Sequence, residues 1–244
     1  MGLKAALDIF LPRTCVVCGR KLLLNEAHIC LYCMADMPLT HFWNRSHNPM
    51  ADRFNELSSK DESLVGERYS YACSLFFFKD NSPYRQILYD IKYNGNIAAG
   101  RYFGALLGGR IATSDIFSDV DVVVPVPLHW RRKWKRGYNQ AEVIAGSIAA
   151  QLGVPMRSDL LRRTRHTGTQ TRLNVEAKKS NVHGAFKASA KCISSMGHHP
   201  KHVLLIDDVF TTGNTIFACF CALRAVLPPP VRISVVTLGF VGEA

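Results

Sequence analysis

The chain of 244 residues, 48% of them apolar, holds enough material for one full α/β domain plus a small satellite module. Its mean hydropathy is +0.01, and no stretch approaches the roughly 18 uninterrupted apolar residues of a membrane helix, which excludes a membrane-spanning helical class. A net charge of +11 points to a polyanionic partner, whether nucleic acid, phosphorylated metabolite or acidic lipid.

Charge alone names no ligand, but the cations of this chain cluster. The start, Met1-Gly-Leu-Lys-Ala-Ala6, has no long apolar region and no small-residue cleavage site. Ala6 also stands where a myristoylation signal requires Ser or Thr. A cytoplasmic location is the expectation, and in that reducing compartment the eight cysteines are not read as disulfides.

Residues 1–40 are expected to form a zinc-binding module. Cys15, Cys18, Cys30 and Cys33 read C-x2-C, eleven residues, C-x2-C. Four thiolates of this kind close a tetrahedral Zn²⁺ site with no open position, so the metal is structural. Gly19 suits the turn that directs amides toward sulfur. The spacer is shorter than the usual zinc-ribbon range but leaves room for a hairpin between knuckles. His28 is a rival ligand that four cysteines make unnecessary. Cys219 and Cys221 are two apart on a predicted helix and face different sides; Cys73 and Cys192 have no partners at ligand spacing.

Residues 41–70 are polar, mixed and weakly periodic, which predicts a linker or irregular excursion. From 71 to 244 the pattern is that of an α/β domain. Ser74 to Phe78 is a strand candidate, and apolar residues at three and four spacing predict helices over 83–93 and 98–112. Val120 to Val126 is a short β-branched run, and Gln140 to Leu152 is helical, closed by Gly153 and Pro155. Strands are expected at 160–164, 184–187, 203–206 and 231–240, with a helix over 214–227. Strands apolar on both faces, alternating with helices, argue for a parallel sheet covered by helices.

Two segments carry chemistry. In the first, the apolar run Val203-Leu-Leu-Ile206 delivers Asp207 and Asp208, followed by Thr211, Thr212, Gly213, Asn214 and Thr215. Carboxylates at the carboxyl end of a buried strand accept hydrogen bonds from vicinal ribose hydroxyls, where ligands of open α/β sheets bind. The threonines supply hydroxyl donors, Gly213 permits close backbone approach, and the helix starting near Asn214 presents unpaired N–H groups to a phosphate. The plainer alternative is a strand, an acidic turn and a Thr-capped helix.

The second segment runs from His129 to Gln140. Its five cations, Arg131, Arg132, Lys133, Lys135 and Arg136, are interleaved with Trp130 and Trp134 and followed by Tyr138 and Asn139. Cations neutralise phosphates and aromatic faces stack on bases, a combination that suits single-stranded nucleic acid. A basic loop gripping only pyrophosphate is the competing reading, since that needs one or two cations. Further on, Arg163 at the end of the strand at 160–164, and Arg165, Thr167 and Gln170 on the long polar stretch between it and the strand at 184–187, form a hood whose length marks a lid or a disordered segment.

The strand, paired acids and hydroxyl-rich loop of 203–215 resemble the signature of the type I phosphoribosyltransferases, including the amidophosphoribosyltransferase-type domains. The resemblance implies that Asp207 and Asp208 hold the ribose hydroxyls of phosphoribosyl pyrophosphate, that Thr211 to Thr215 hold its 5′-phosphate, and that Mg²⁺ is bound mainly through the ligand's own oxygens. Thr211 stands where salvage members for 6-oxopurines place an acid as general base, which disfavours hypoxanthine-guanine salvage.

Pro125-Val-Pro-Leu-His129, Arg136-Gly-Tyr-Asn-Gln140, Arg163-Thr-Arg-His-Thr167 with Gln170 and Leu173, Asn181, and Gly184-Ala-Phe186 narrow this further. Together with the cysteine module they resemble the ComF family of bacterial competence proteins over nearly the whole chain. One departure is Lys178 and Lys179 where an Arg is expected before Asn181, which keeps a cation but loses bidentate phosphate contact. The resemblance implies a zinc-knuckle module before a type I phosphoribosyltransferase fold with a hood. It also implies a role in DNA uptake and natural transformation, with incoming single-stranded DNA and a competence helicase or other uptake proteins as partners. Two alternatives stay open: an active phosphoribosyltransferase with an unidentified acceptor, and a metabolite-sensing regulator that binds nucleic acid. No catalytic residue is assigned.

Overall fold

The structure is a computed structural model that describes residues 12–79, 81–164, 184–197 and 199–242. The central sheet contains β1 (Ala72–Phe77), β2 (Val122–Pro125), β5 (His202–Phe210) and β6 (Arg232–Phe240), in the order β1-β6-β5-β2. Every neighbouring pair is parallel. Both faces are buried, as the apolar runs require: all six residues of β1 and all four of β2 are inaccessible. A two-stranded antiparallel ribbon, β3 (Leu161–Arg163) with β4 (Phe186–Ala188), stands apart from this sheet.

Helices cover the sheet. α1 (Leu31–Ala35) belongs to the cysteine module and α2 (Pro49–Ser59) follows it. α3 (Arg85–Tyr93) and α4 (Ile97–Ala112) lie between β1 and β2, and α5 (Trp130–Arg136) and α6 (Gln140–Leu152) between β2 and β3. α7 (Ala190–Ser194) precedes β5, and α8 (Asn214–Arg224) joins β5 to β6. α4 and α6 approach closely because Gly104 and Gly108 of α4 present no side chain to α6. A Cβ on Gly104 would stand 3.0 Å from the Ile144 carbonyl oxygen, and one on Gly108 2.9 Å from Gln151 Cβ. Among the described residues no helix is long and apolar enough to cross a membrane.

Three elements differ from the sequence expectation. The 41–70 stretch, weakly periodic by eye, contains α2, whose Met50, Ala51 and Phe54 are buried. Asn48 caps that helix, accepting from the N–H groups of Met50 and Ala51, and its amide donates to the Ala72 carbonyl at 2.9 Å. Phe54 meets Phe217 and Phe220 edge-on, with centroids 6.0 and 5.3 Å away. The apolar face is spaced widely among polar residues, so it emerges only against α8 and β1.

The basic segment 130–136 is a helix, not a loop. His129 caps its start by accepting from the Arg131 N–H at 3.3 Å, and Gly137, at φ +83°, ends it by donating to the Lys133 carbonyl. Finally, β5 extends through Asp207 and Asp208. β6 continues alongside to Phe240 and pairs Asp207 with Thr237 and Val209 with Gly239, which holds both acids in a strand.

Candidate functional site

The four cysteine sulfurs all lie within 4.8 Å of one another. A tetrahedral Zn–S distance of about 2.3 Å places ligating sulfurs about 3.8 Å apart, and Cys18 Sγ stands 3.8 Å from Cys30 Sγ. The Cys30 and Cys33 N–H groups point at sulfur, to Cys15 Sγ at 3.4 Å and to Cys30 Sγ at 3.5 Å. Gly19 adopts φ +73° and donates to the Cys15 carbonyl at 2.9 Å, the knuckle turn expected of it. The residues therefore fit a structural zinc ion. His28 is not part of the cluster; its ring packs against Tyr102 at 5.5 Å, and burial lowers its pKa.

The module is fastened to the sheet rather than tethered beside it. Thr40 and Phe77 make backbone hydrogen bonds to Leu75 and Pro38 at 3.1 and 2.8 Å, and the Tyr84 hydroxyl donates to the Cys33 carbonyl at 2.8 Å. Glu26 braces the hairpin between the two knuckles. It accepts from the N–H groups of Leu23 and Leu31 and from Arg20, and these contacts hold its carboxyl below the usual carboxylate range.

At the carboxyl ends of β2 and β5 a cleft of about 380 Å³ opens. Four cations reach it, Lys92, Arg132, Arg136 and Arg163, against two acids, Asp207 and Asp208. Thr211, Thr212, Gly213, Asn214 and Thr215 form one wall, where α8 starts. Gly213 has no room for any other residue. It sits at φ +80°, and a Cβ there would lie 2.6 Å from Phe210 Cζ and 3.0 Å from Leu57 Cδ1.

Asp208 is 4% exposed. Lys92 Nζ stands 3.0 Å from its Oδ1, and Gln140 Nε2 donates to its Oδ2 at 2.8 Å. Arg136 holds Gln140 in turn, donating to Oε1 at 2.5 Å. Asp207 is half-buried and accepts the Asp208 N–H on Oδ1 at 2.9 Å. Burial, and then the neighbouring Asp208 charge, push the Asp207 carboxyl up to about 7, against the opposing pull of Lys92 and Arg163. Arg163 packs its guanidinium over Phe186 at 5.2 Å, and burial followed by the nearby Arg132 charge lowers its pKa.

The sequence-predicted residues divide between the cleft and its support. Asn139 is a helix cap, with Oδ1 accepting from the Ala141 N–H and Nδ2 donating to the Val126 carbonyl at 3.0 Å. His129, buried, caps α5. Tyr138 is half-buried with its hydroxyl bonded to the Ile91 carbonyl, so its ring is not an open stacking face. Trp130 and Trp134, by contrast, are 65% and 87% exposed on α5. Arg131 lies over the Trp130 ring at 5.2 Å, and Lys133 pairs with Glu142 at 3.1 Å. Arg165, Thr167 and Gln170 fall outside the described residues, as does the side chain of Lys135.

Sequence reasoning missed Lys92 and Tyr93, both of which line the cleft. They end an amphipathic helix, where a lysine is indistinguishable from one on a solvated face. Only the packing of α3 brings it to Asp208.

The chain is 34% identical to Competence protein F of Haemophilus influenzae over 96 residues, 39% of this chain and 41% of that protein. It is 34% identical to the DNA utilization protein YhgH of Escherichia coli over 96 residues, again 39% of this chain and 40% of the relative. A longer match, 26% identical over 217 residues, covers 87% of this chain and 78% of Competence protein ComFC of Bacillus subtilis. The chain is thus similar to proteins named for competence and DNA utilization. The matched stretch spans about two fifths of the first two relatives. No protein-family model matches the chain.

Proposed function

We propose that this ComF-family chain binds phosphoribosyl pyrophosphate in the cleft at the carboxyl ends of β2 and β5 and acts in DNA uptake. The observation that carries the reading is the meeting of two strand-borne acids, Asp207 and Asp208, with the Thr211–Thr215 turn at the start of α8, inside a cleft that four cations make electropositive. A 5′-phosphate suits the amides and hydroxyls of that turn, a ribose diol suits the paired acids, and a pyrophosphate suits Arg132, Arg136 and Arg163. Mg²⁺ would enter with the ligand and be held mainly by the ligand's oxygens. The names of the relatives, which refer to competence and DNA utilization, favour a role in uptake.

Single-stranded DNA is the proposed partner of α5. Two tryptophans exposed on one short basic helix offer stacking faces beside phosphate-binding cations, which a pyrophosphate clamp does not need. In this reading the zinc-knuckle module, residues 1–40, serves as a structural unit and 71–244 as the phosphoribosyltransferase-like domain. Isothermal titration with phosphoribosyl pyrophosphate and Mg²⁺, beside ribose 5-phosphate and pyrophosphate alone, tests the ligand. Saturable binding of the intact compound, tighter than either fragment, is expected; equal binding of pyrophosphate alone would reduce the cleft to an anion clamp. Pyrophosphate release on adding candidate acceptors would favour a transferase over a binding protein.

A further inference from the structure

We propose that Tyr89 and Tyr93 of α3 form a stacking platform for unpaired bases, along which a single strand of DNA reaches the mouth of the cleft. The proposal rests on the nucleic-acid reading of α5 and extends it to a second helix. α3 buries Ile87, Leu88 and Ile91 in the core. Residues four apart lie on one face of a helix, so Arg85, Tyr89 and Tyr93 form a row on the side away from that core. Tyr89 is 51% exposed and Tyr93 65%, with ring centroids 5.0 Å apart at an interplanar angle of 45°. A single exposed tyrosine needs no partner, but two adjoining rings on one row present an aromatic surface that the core does not use.

The surroundings of that row decide what it takes. Tyr93 lines the cleft, and Arg136, the last residue of α5, holds its guanidinium over the Tyr93 ring at 5.3 Å. The Tyr138 hydroxyl, bonded to the Ile91 carbonyl, fixes the end of α3 beside the start of α6. α3 and α5 therefore meet at Arg136, and each brings two exposed aromatic residues, Tyr89 and Tyr93 on one, Trp130 and Trp134 on the other. An apolar protein surface laid on the tyrosines would also take the Arg136 charge out of water without a counter-charge, which is costly. A polyanion with flat aromatic groups satisfies both features: its phosphates meet the cations and its bases stack on the rings. In a duplex those base faces are already stacked on one another, so only an unpaired strand can use the row.

The test uses the full-length protein, the double variant Tyr89→Leu with Tyr93→Leu, and the double variant Tyr89→Phe with Tyr93→Phe. Both positions are exposed and leucine is a strong helix former, so the fold is retained, which circular dichroism and zinc content check. Fluorescence anisotropy compares three labelled probes: a single-stranded oligonucleotide, the same length with abasic sites, and the duplex. The leucine variant is expected to bind the single strand about tenfold or more weakly with an unchanged salt slope, since stacking is lost and no cation is removed. The phenylalanine variant should bind like the wild type because it keeps both rings. The abasic strand and the duplex should not distinguish the leucine variant from the wild type. Equal losses on the abasic strand would overturn the stacking role. A lower molecular mass of the leucine variant in light scattering would overturn the proposal by making the row a contact between copies of this chain. Binding by the wild type that depends on the α5 cations but not on the tyrosines overturns this proposal alone, and a wild type that binds no single strand refutes the nucleic-acid reading with it.

Discussion

Replacing Arg131, Arg132 and Lys133 by alanine removes three charges from α5, but the structure does not weight them equally. Lys133 is paired with Glu142 at 3.1 Å, so its contribution to a phosphate is already partly neutralised. Arg131 sits over Trp130 and Arg132 reaches the cleft, so two of the three are placed to meet a passing backbone. Each phosphate neutralised on a single strand contributes about −0.7 to the slope of log affinity against log salt, so the triple variant should flatten that slope by about 1.4, not by the 2.1 of three independent cations. Trp134, 87% exposed, has no packing role to lose. Its replacement by alanine should cost about 1–3 kcal/mol of binding and leave the slope nearly unchanged. Fluorescence anisotropy of a labelled oligonucleotide across a salt series separates the two effects. An unaltered slope in the triple variant would refute the nucleic-acid reading of α5, and an equal loss from Tyr138→Leu would refute the assignment of stacking to the tryptophans.

Metal analysis of protein purified without chelator should return about one zinc per chain, and Cys15→Ser should abolish it. Because the module bonds Leu75, Phe77 and Tyr84, hydrogen exchange should then quicken along β1 as well as in residues 13–40; exchange confined to the knuckles would contradict that coupling. Gly213→Ala combines a left-handed backbone with contact on Phe210 and Leu57, and a loss of about 2–4 kcal/mol in urea unfolding is expected. An unchanged midpoint would mean that the loop relaxes freely. Asp207 is raised to about 7 in the folded protein, chiefly by burial and then by Asp208. A carboxyl raised on folding stabilises below its unfolded pKa, and that contribution is lost as pH rises through the folded one. Stability of the ligand-free protein should therefore fall by a few kcal/mol at most between about pH 4 and pH 7 from this group, and Asp207→Asn should flatten the fall. Thermal melts across that range that superimpose for the two proteins would count against it.

The sequence alone determined the elements whose physics is local. Cysteine spacing set the metal cluster, because C-x2-C brings two sulfurs to one side of a turn whatever the rest of the chain does. Gln140 to Leu152 was legible from its periodicity and Gly153, and β5 and β6 from their unbroken apolar runs. The turn of Thr211 to Thr215 was legible because a glycine and three threonines after two acids have few other uses. Tertiary structure decided what depends on partners distant in the chain. Asp207 and Asp208 belong to a strand, not a loop, because β6 runs alongside them. α2 exists because Phe54 finds Phe217 and Phe220, more than 160 positions away in sequence. Asn139, Tyr138 and His129, read as ligand contacts from composition, are held by backbone groups of Val126 just past β2, of α3 and of α5, since a polar side chain is spent wherever packing leaves an unpaired amide or carbonyl. Lys92 carries no local mark at all. Its meaning comes from α3 docking beside β5, where a buried carboxylate, 116 positions later in the chain, requires a cation.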